Sequence, residues 1–129
     1  MSKLPKIMHV EDDPDIREIS MIALNTVGGL EVVQFASGQE ALLGAVAAAP
    51  DLLLLDVMMP GMNGEETLIA LRAMPEFANT PAIFMTAKAQ HSDIFKFKDA
   101  GALEVIVKPF DPMELAAQVI AIYEASQKS

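Results

Sequence analysis

Four of the five short apolar runs in this 129-residue sequence are followed directly by residues that could do chemistry. These residues are Glu11, Asp12 and Asp13 after the first run, Asp56 after the third, Thr86 after the fourth and Lys108 after the fifth. Carboxylates gathered at one place are unfavourable without a cation, because two of them about 4 Å apart repel by roughly 4 kcal/mol at an effective dielectric near 20. If the fold brings these residues together, they predict a cation site.

The ligand types indicate which cation and which chemistry to expect. Oxygen ligands without a cysteine or a neighbouring histidine favour Mg²⁺, with Mn²⁺ as an alternative, over zinc. Mg²⁺ held by a few carboxylates keeps coordination positions open for phosphate oxygens. Asp56 could then attack a phosphoryl group to form an acyl phosphate, while the cation and Lys108 neutralise charge on the transferred oxygens. The pattern therefore predicts phosphoryl transfer to an aspartate.

The hydrophobic pattern indicates which elements position these residues. The five apolar runs predict buried strands at residues 7–10, 32–35, 52–55, 82–85 and 105–107. Apolar residues at helical spacing lie between them and predict buried helix faces. These are Ile16, Ile19, Ala23 and Val27 in the first helix, and Leu115, Val119 and Ile122 in the last. The resulting (βα)₅ order predicts a doubly wound parallel sheet, in which ligands lie beyond the carboxyl ends of the strands.

Capping signals predict where several helices begin. The patterns are Ser37 with Glu40, Asp111 with Pro112 and Glu114, and Asp13 before Pro14. The first two are capping boxes, and the second of them adds a first-turn proline. Asp13 is interpreted as a cap rather than a cation ligand, and it is left out of the predicted site.

The composition limits the class of protein. Cysteine is absent, so disulfides, thiolate metal sites and cysteine nucleophiles are excluded. The 18 acidic and 9 basic residues give a net charge of −9, which disfavours direct contact with nucleic acid. No apolar run approaches the roughly 18 residues of a membrane span, and no signal peptide is evident. We therefore expect a cytoplasmic protein in which residues 1–129 form a single domain.

Two segments resemble the receiver domains of two-component response regulators. Residues 56–64, DVMMPGMNG, are similar to the family's phosphoacceptor loop, and Lys108-Pro109-Phe110 is similar to its lysine-proline signature. The resemblance extends over essentially the whole chain and is strongest for the stand-alone, chemotaxis-regulator-like type without an output domain. It implies the flavodoxin-like receiver fold, with five parallel strands in the order 2-1-3-4-5.

The resemblance also implies a role for each site residue. Asp56 would be phosphorylated, Thr86 would bond a phosphoryl oxygen after transfer, and Lys108 would pair with the carboxylate or the phosphoryl group. The implied Mg²⁺ ligands are Glu11, Asp12, Asp56 and the backbone carbonyl of Met58. The peptide bond between Lys108 and Pro109 is expected to be cis, as in the family.

The implied function is that of a signalling phosphoacceptor rather than a conventional enzyme. The domain would catalyse its own phosphorylation and autodephosphorylation, taking the group from a sensor histidine kinase or a histidine phosphotransferase. An unidentified downstream protein would recognise the switched state.

Three alternatives stay open: an aspartyl-phosphate phosphohydrolase, although Met58 stands where such an enzyme carries an acid; a degenerate receiver that is not phosphorylated; and a receiver excised from a hybrid histidine kinase. The initial methionine and the end soon after the last helix favour a complete protein.

The surface that would transmit the signal departs from many relatives at one position. Val105 stands three residues before Lys108, where many relatives carry an aromatic residue that follows the movement of the threonine. Either backbone shifts report the state here, or the partner binds another face. A separate set of residues in the last two helical segments either completes the core or forms a partner surface with an apolar centre and a basic rim. It consists of Phe95, Lys96, Lys98, Ile120 and Tyr123.

Overall fold

Five short strands form one parallel sheet in the structure, a computed structural model that describes residues 4–87 and 90–128, with the backbone alone at residues 91 and 92. The strands are β1 (Lys6–Val10), β2 (Glu31–Phe35), β3 (Leu52–Asp56), β4 (Ala82–Thr86) and β5 (Glu104–Val107). They lie in the order β2-β1-β3-β4-β5. Each predicted strand is found within one residue of its predicted ends, and the predicted strand order is confirmed.

Helices alternate with the strands along the described chain. They are α1 (Pro14–Met21), continued by a π-helical segment (Ile22–Val27), then α2 (Gly38–Ala48), α3 (Gly64–Arg72), α4 (His91–Asp99) and α5 (Leu115–Gln127). A short 3₁₀ turn (Pro75–Phe77) precedes β4. This alternation confirms the predicted (βα)₅ fold of the flavodoxin-like type. Within the described ranges, no helix combines the length and apolar character that crossing a bilayer requires.

The core consists of two apolar layers, one on each face of the sheet. All five residues of β3 are buried, and its leucines alternate between the layers. Leu53 and Leu55 pack with Met8 and Phe84 on one face, and the other face holds a second cluster that includes residues of α5. Because β3 is covered on both sides, its sequence is a continuous apolar run rather than an alternating one. The same central strand carries Asp56 at its carboxyl end.

The predicted buried face of the first helix is partly wrong. Ala23 is fully buried, but Ile19 is 45% and Val27 is 43% exposed. Leu24, which lies outside the predicted stripe, is buried beside Ala23. A π-helical segment has more residues per turn than an α-helix, so beyond Ile22 a stripe extrapolated at α-helical spacing drifts, and Leu24 rather than Val27 is buried. Ile19 precedes this segment and lines an apolar groove with Ile16 and Phe110.

The start of α5 also differs from its prediction. The helix begins at Leu115, after Glu114, and shows no side-chain cap. Asp111 Oδ1 instead accepts a hydrogen bond from the Met113 amide at 2.8 Å, within the turn that precedes the helix. The predicted capping box at Asp111 is therefore wrong, because the aspartate caps a local turn. The buried face of α5 is confirmed at Leu115 and Val119.

The cap predicted at Ser37 is half confirmed. The Ser37 hydroxyl oxygen accepts a hydrogen bond from the Glu40 amide at 3.1 Å. The Glu40 carboxylate, however, accepts from the amide of Ala36 rather than that of Ser37. The reciprocal bond of a capping box is thus displaced by one residue.

A complete capping box lies at the start of α3, where none was predicted. The Asn63 side chain accepts from the Glu66 amide at 2.8 Å, and the Glu66 carboxylate accepts from the Asn63 amide at 3.0 Å. We expect Asn63→Ala to lower the free energy of unfolding by about 1 kcal/mol, measured by urea denaturation. The matched control is Gln90→Ala, because Gln90 occupies the N-cap of α4 without a side-chain bond. Equal losses in the two variants would contradict the capping role.

Candidate functional site

The predicted acidic residues meet at the carboxyl end of the sheet. Glu11 follows β1, and Asp56 ends β3, the strand that pairs with β1. Carboxylate oxygens of Glu11, Asp12 and Asp56 all lie within 4.8 Å of one another. Neighbouring parallel strands place their carboxyl ends at one edge of the sheet, which explains why residues 44 and 45 positions apart along the chain converge.

Lys108 lies between two of these carboxylates. Its Nζ is 2.7 Å from Glu11 Oε1 and 3.0 Å from Asp56 Oδ1, and it donates a hydrogen bond to each. Glu11 and Asp56 are both buried, so little water screens their mutual repulsion. One ammonium group therefore offsets part of the charge of two anions.

The electrostatics of the pocket follow from this burial. Burial raises the pKa of Glu11 to about 7, the Lys108 hydrogen bond opposes that rise, and nearby Asp56 adds to it. Burial alone would lower the pKa of Lys108, but its hydrogen bonds to Glu11 and Asp56 raise it overall. Lys108 therefore stays charged at neutral pH, and Glu11 takes up a proton more readily than an ordinary glutamate does.

The donor set fits a hard divalent cation. Among the described residues, the acidic group at the pocket consists of Glu11, Asp12 and Asp56, and it contains no nitrogen or sulfur ligand. Oxygen ligands of this kind suit Mg²⁺ or Mn²⁺. The site is thus compatible with magnesium binding, as the sequence predicts.

Asp13 lies beside the pocket but serves the helix. Its Oδ1 accepts from the amides of Asp15, at 2.8 Å, and Ile16, at 3.3 Å. The Asp13 amide in turn donates to Glu11 Oε2 at 3.2 Å. The predicted N-cap role is confirmed, and the cap bonds connect the start of α1 to the acidic loop.

Backbone hydrogen bonds hold the loop after β3 against the neighbouring strand β4 and against its own first residue. The Val57 amide donates to the carbonyl of Met85 at 3.0 Å, and the Gly64 amide donates to the carbonyl of Val57 at 3.0 Å. A Cβ at Gly64 would lie 2.4 Å from the carbonyl oxygen of Asp56. The start of α3 therefore approaches the backbone of Asp56 at a distance that only glycine allows.

Thr86 and Met58 border a cavity beside the acidic pocket. Thr86 is buried at the end of β4, and both residues line a cavity of about 560 Å³ that extends to Phe97 on α4. The Met58 side chain is 59% exposed. The ligand role of the Met58 carbonyl stays a prediction. The cis peptide bond between Lys108 and Pro109 is observed as expected.

The residues that the sequence left open as core or partner surface differ in burial. Ile120 and Tyr123 are partly buried against the core cluster that includes α5, so they complete the core. Phe95 is 77% exposed on α4. Its basic neighbours form ion pairs, Lys96 with Glu65 at 3.7 Å and Lys98 with Glu104 at 3.2 Å.

Two residues that shape the site were missed from the sequence. Gly64 has no sequence signal beyond its place in the loop that resembles the family. Arg17 donates hydrogen bonds to the backbone of the acidic loop. The signal that could have indicated it is a single basic residue among the acids of residues 11–18.

Comparison with known proteins gives a consistent match. Residues 7–120 match the family described as response regulator receiver domain. The sequence is 37% identical over 116 residues to the DNA-binding response regulator MtrA of Mycolicibacterium smegmatis, covering 90% of this chain and 49% of that protein. The chain spans about half the length of the curated relatives it matches.

Solved structures of similar proteins share the whole fold. The chemotaxis protein CheY4 of Vibrio cholerae superposes with a TM-score of 0.85 at 32% identity, covering 93% of this chain and 99% of that one. The signal receiver domain of a signal transduction histidine kinase from Syntrophus aciditrophicus gives a TM-score of 0.80 at 27% identity, covering 97% and 94%.

Proposed function

Because the chain belongs to the response regulator receiver domain family, we propose that it accepts a phosphoryl group on Asp56 in a Mg²⁺-dependent step. The donor would be a phosphohistidine of a sensor histidine kinase or of a histidine phosphotransferase. One observation carries the proposal: the buried Asp56 carboxylate lies beside Lys108 and within 4.8 Å of oxygens of Glu11 and Asp12. Such a pocket lets an anion approach an anionic nucleophile.

The transfer needs few protein groups. A carboxylate oxygen of Asp56 forms a bond to phosphorus as the phosphorus–nitrogen bond of the donor breaks, and the electron pair stays on the imidazole nitrogen, which takes up a proton. Glu11, Asp12 and the Met58 carbonyl would hold Mg²⁺ with Asp56. The bound ion would supply neutralisation of charge on the phosphoryl oxygens.

Lys108 and Thr86 would act on the product. In the structure, Lys108 Nζ already lies 3.0 Å from Asp56 Oδ1, so it is placed to pair with a phosphoryl oxygen of the aspartyl phosphate. Thr86 ends the adjacent strand β4, and its hydroxyl group would donate a hydrogen bond to a second phosphoryl oxygen. With Asp56, these two residues make up the proposed catalytic set of Asp56, Thr86 and Lys108.

The added charge could drive a two-state switch. Phosphorylation adds about −1.5 to −2 charge and creates 1–3 charge-assisted bonds of roughly 1.5–3 kcal/mol each. Inverting a 1:99 equilibrium needs about 5.5 kcal/mol, which these bonds can supply. Thr86 would move toward the phosphoryl group and reshape the surface of α4, β5 and α5, where Phe95 is exposed. Val105 is half-buried opposite Phe84, so no aromatic side chain at this position reports the state.

The competing functions make different predictions. As a signalling phosphoacceptor, the domain would phosphorylate and dephosphorylate itself without acting on outside substrates. An aspartyl-phosphate phosphohydrolase would turn over a phosphomonoester steadily. Such an enzyme would need an acidic residue two positions after the nucleophile, where this chain has Met58. A receiver from a hybrid kinase would share the same chemistry. We propose that residues 1–129 form one receiver domain.

Two further expectations concern the surroundings of the domain. The relatives include regulators named as DNA-binding, but this chain matches about half of their length. With a net charge of −9, we propose that this domain makes no direct contact with nucleic acid. The cytoplasmic location stays a prediction.

The proposal is tested by incubating the wild-type protein with acetyl phosphate and Mg²⁺ and measuring its intact mass. We expect one added phosphoryl group, and we expect the addition to be lost when a chelator removes the metal, because the carboxylates then repel the phosphate. An unreactive protein would contradict the proposed function. Equal uptake with and without the metal would contradict the role of the cation.

A further inference from the structure

One guanidinium group holds the backbone of the acidic loop. Arg17 Nη1 donates hydrogen bonds to the carbonyl oxygens of Glu11, at 2.9 Å, and Asp12, at 3.0 Å. Both acceptors are main-chain atoms, so these bonds fix the backbone of the two residues and leave their carboxylates for the pocket. One side chain on α1 thus ties together two of the three acids that lie within 4.8 Å of one another.

Arg17 is itself fixed to the sheet. The Gln34 amide nitrogen donates to the carbonyl oxygen of Arg17 at 2.8 Å and lies 3.1 Å from His9 Nδ1. Because a carbonyl oxygen can only accept, this nitrogen is the donor, and His9 Nδ1 accepts its other proton. These bonds join β2, β1 and α1. The guanidinium therefore extends from a backbone position that the sheet holds in place.

We propose that Arg17 is a positioning residue for the cation site, an inference that rests on the function proposed above. Its guanidinium sets the positions of Glu11 and Asp12 so that their carboxylates converge with that of Asp56. Groups that orient metal ligands in this way typically contribute 10–100-fold to metal affinity.

A purely electrostatic role of Arg17 predicts the opposite sign. A positive charge near a cation site repels the incoming ion, so removing that charge should tighten binding. Removing a positioning contact should weaken binding instead. Arg17→Met, which keeps an unbranched apolar stem but removes the guanidinium with its charge and its donors, separates the two roles by the direction of the change.

The chain offers a matched control in Arg72. Its Nη1 also donates to two carbonyl oxygens, those of Phe77 and Thr80. That contact lies just before β4, at the end of the sheet opposite the acidic pocket. Arg72→Met removes the same kind of contact without touching the proposed site.

The test measures Mn²⁺ affinity by electron paramagnetic resonance of the free ion, since the sequence has no tryptophan to report binding by fluorescence. We expect Arg17→Met to bind Mn²⁺ about tenfold more weakly than wild type. Both bonds come from the single nitrogen Nη1. Arg17→Lys keeps the charge and one donor nitrogen on a shorter side chain, so its affinity should lie between those of wild type and Arg17→Met. Arg72→Met should lose stability toward urea and bind Mn²⁺ like wild type.

Several outcomes would overturn the inference. One is an Arg17→Met protein that binds as tightly as wild type or more tightly, and another is an equal loss of affinity in Arg72→Met. If Arg17→Met does not fold, Arg17→Lys decides, and wild-type affinity in that variant overturns the positioning role. A wild-type protein that does not bind Mn²⁺ would refute the proposed function as well. Normal wild-type binding with an unchanged Arg17 variant refutes this inference alone.

Discussion

The Asp56→Asn protein should gain no phosphoryl group from acetyl phosphate and Mg²⁺ under conditions in which the wild-type protein gains one. The amide nitrogen and oxygen of asparagine cannot form an acyl phosphate, so the expected loss is complete. The substitution keeps the shape of the side chain and removes one charge from a buried acidic group. We therefore expect the variant to fold, which circular dichroism and urea denaturation would check.

The control for this variant is Asp51→Asn, which makes the same substitution at the other end of β3. Asp51 Oδ2 accepts a hydrogen bond from the Lys6 amide at 2.9 Å, and an asparagine oxygen can still accept that bond. This variant should be phosphorylated like wild type. Phosphoryl uptake by Asp56→Asn, located by peptide mass spectrometry at another residue, would refute Asp56 as the acceptor.

The second large effect is expected at Gly64. A Cβ there would lie 2.4 Å from the Asp56 carbonyl oxygen and 2.9 Å from the Val57 Cα. Both are backbone atoms, so no side-chain rotation can relieve the overlap, and the loop after β3 must move. We expect Gly64→Ala to lower the free energy of unfolding by about 3 kcal/mol, measured in urea, and to slow phosphorylation at least about tenfold, because a small displacement of a reacting group has effects of this size.

Gly29→Ala is the corresponding control. Gly29 has φ +71°, yet a Cβ there meets no atom within 4 Å. The substitution should cost about 1–2 kcal/mol through backbone conformation alone and leave the phosphorylation rate unchanged. If Gly64→Ala and Gly29→Ala had the same free energy of unfolding and the same phosphorylation rate, the close approach of Gly64 to Asp56 would not matter for stability or function.

The strands and the convergence of the site could be predicted from the sequence because they depend on simple patterns. The continuous apolar run before Asp56 requires a strand covered on both faces, and a parallel sheet then brings its carboxyl end next to that of β1. No fine geometry is needed for this step. The charge types at the strand ends then indicate the chemistry.

The parts that were mispredicted depend on geometry that residue types do not encode. After α1, the buried face shifts from Val27 to Leu24 within a π-helical segment that begins at Ile22, and no residue type there marks the change. Asp111 caps a turn instead of a helix, because both uses begin with the same side-chain bond to a nearby amide. Arg17 was missed because its partners are carbonyl oxygens, which every residue carries.

Lys108 lies between Glu11 and Asp56 and bonds to both. An internal counterion keeps two buried anions side by side, so the pocket is preorganised and needs little rearrangement when a cation or a phosphate arrives. In the proposed phosphoryl transfer, the same ammonium group would follow the negative charge from the Asp56 carboxylate to the phosphoryl oxygens. The resting and activated states would then differ in where one lysine directs its protons.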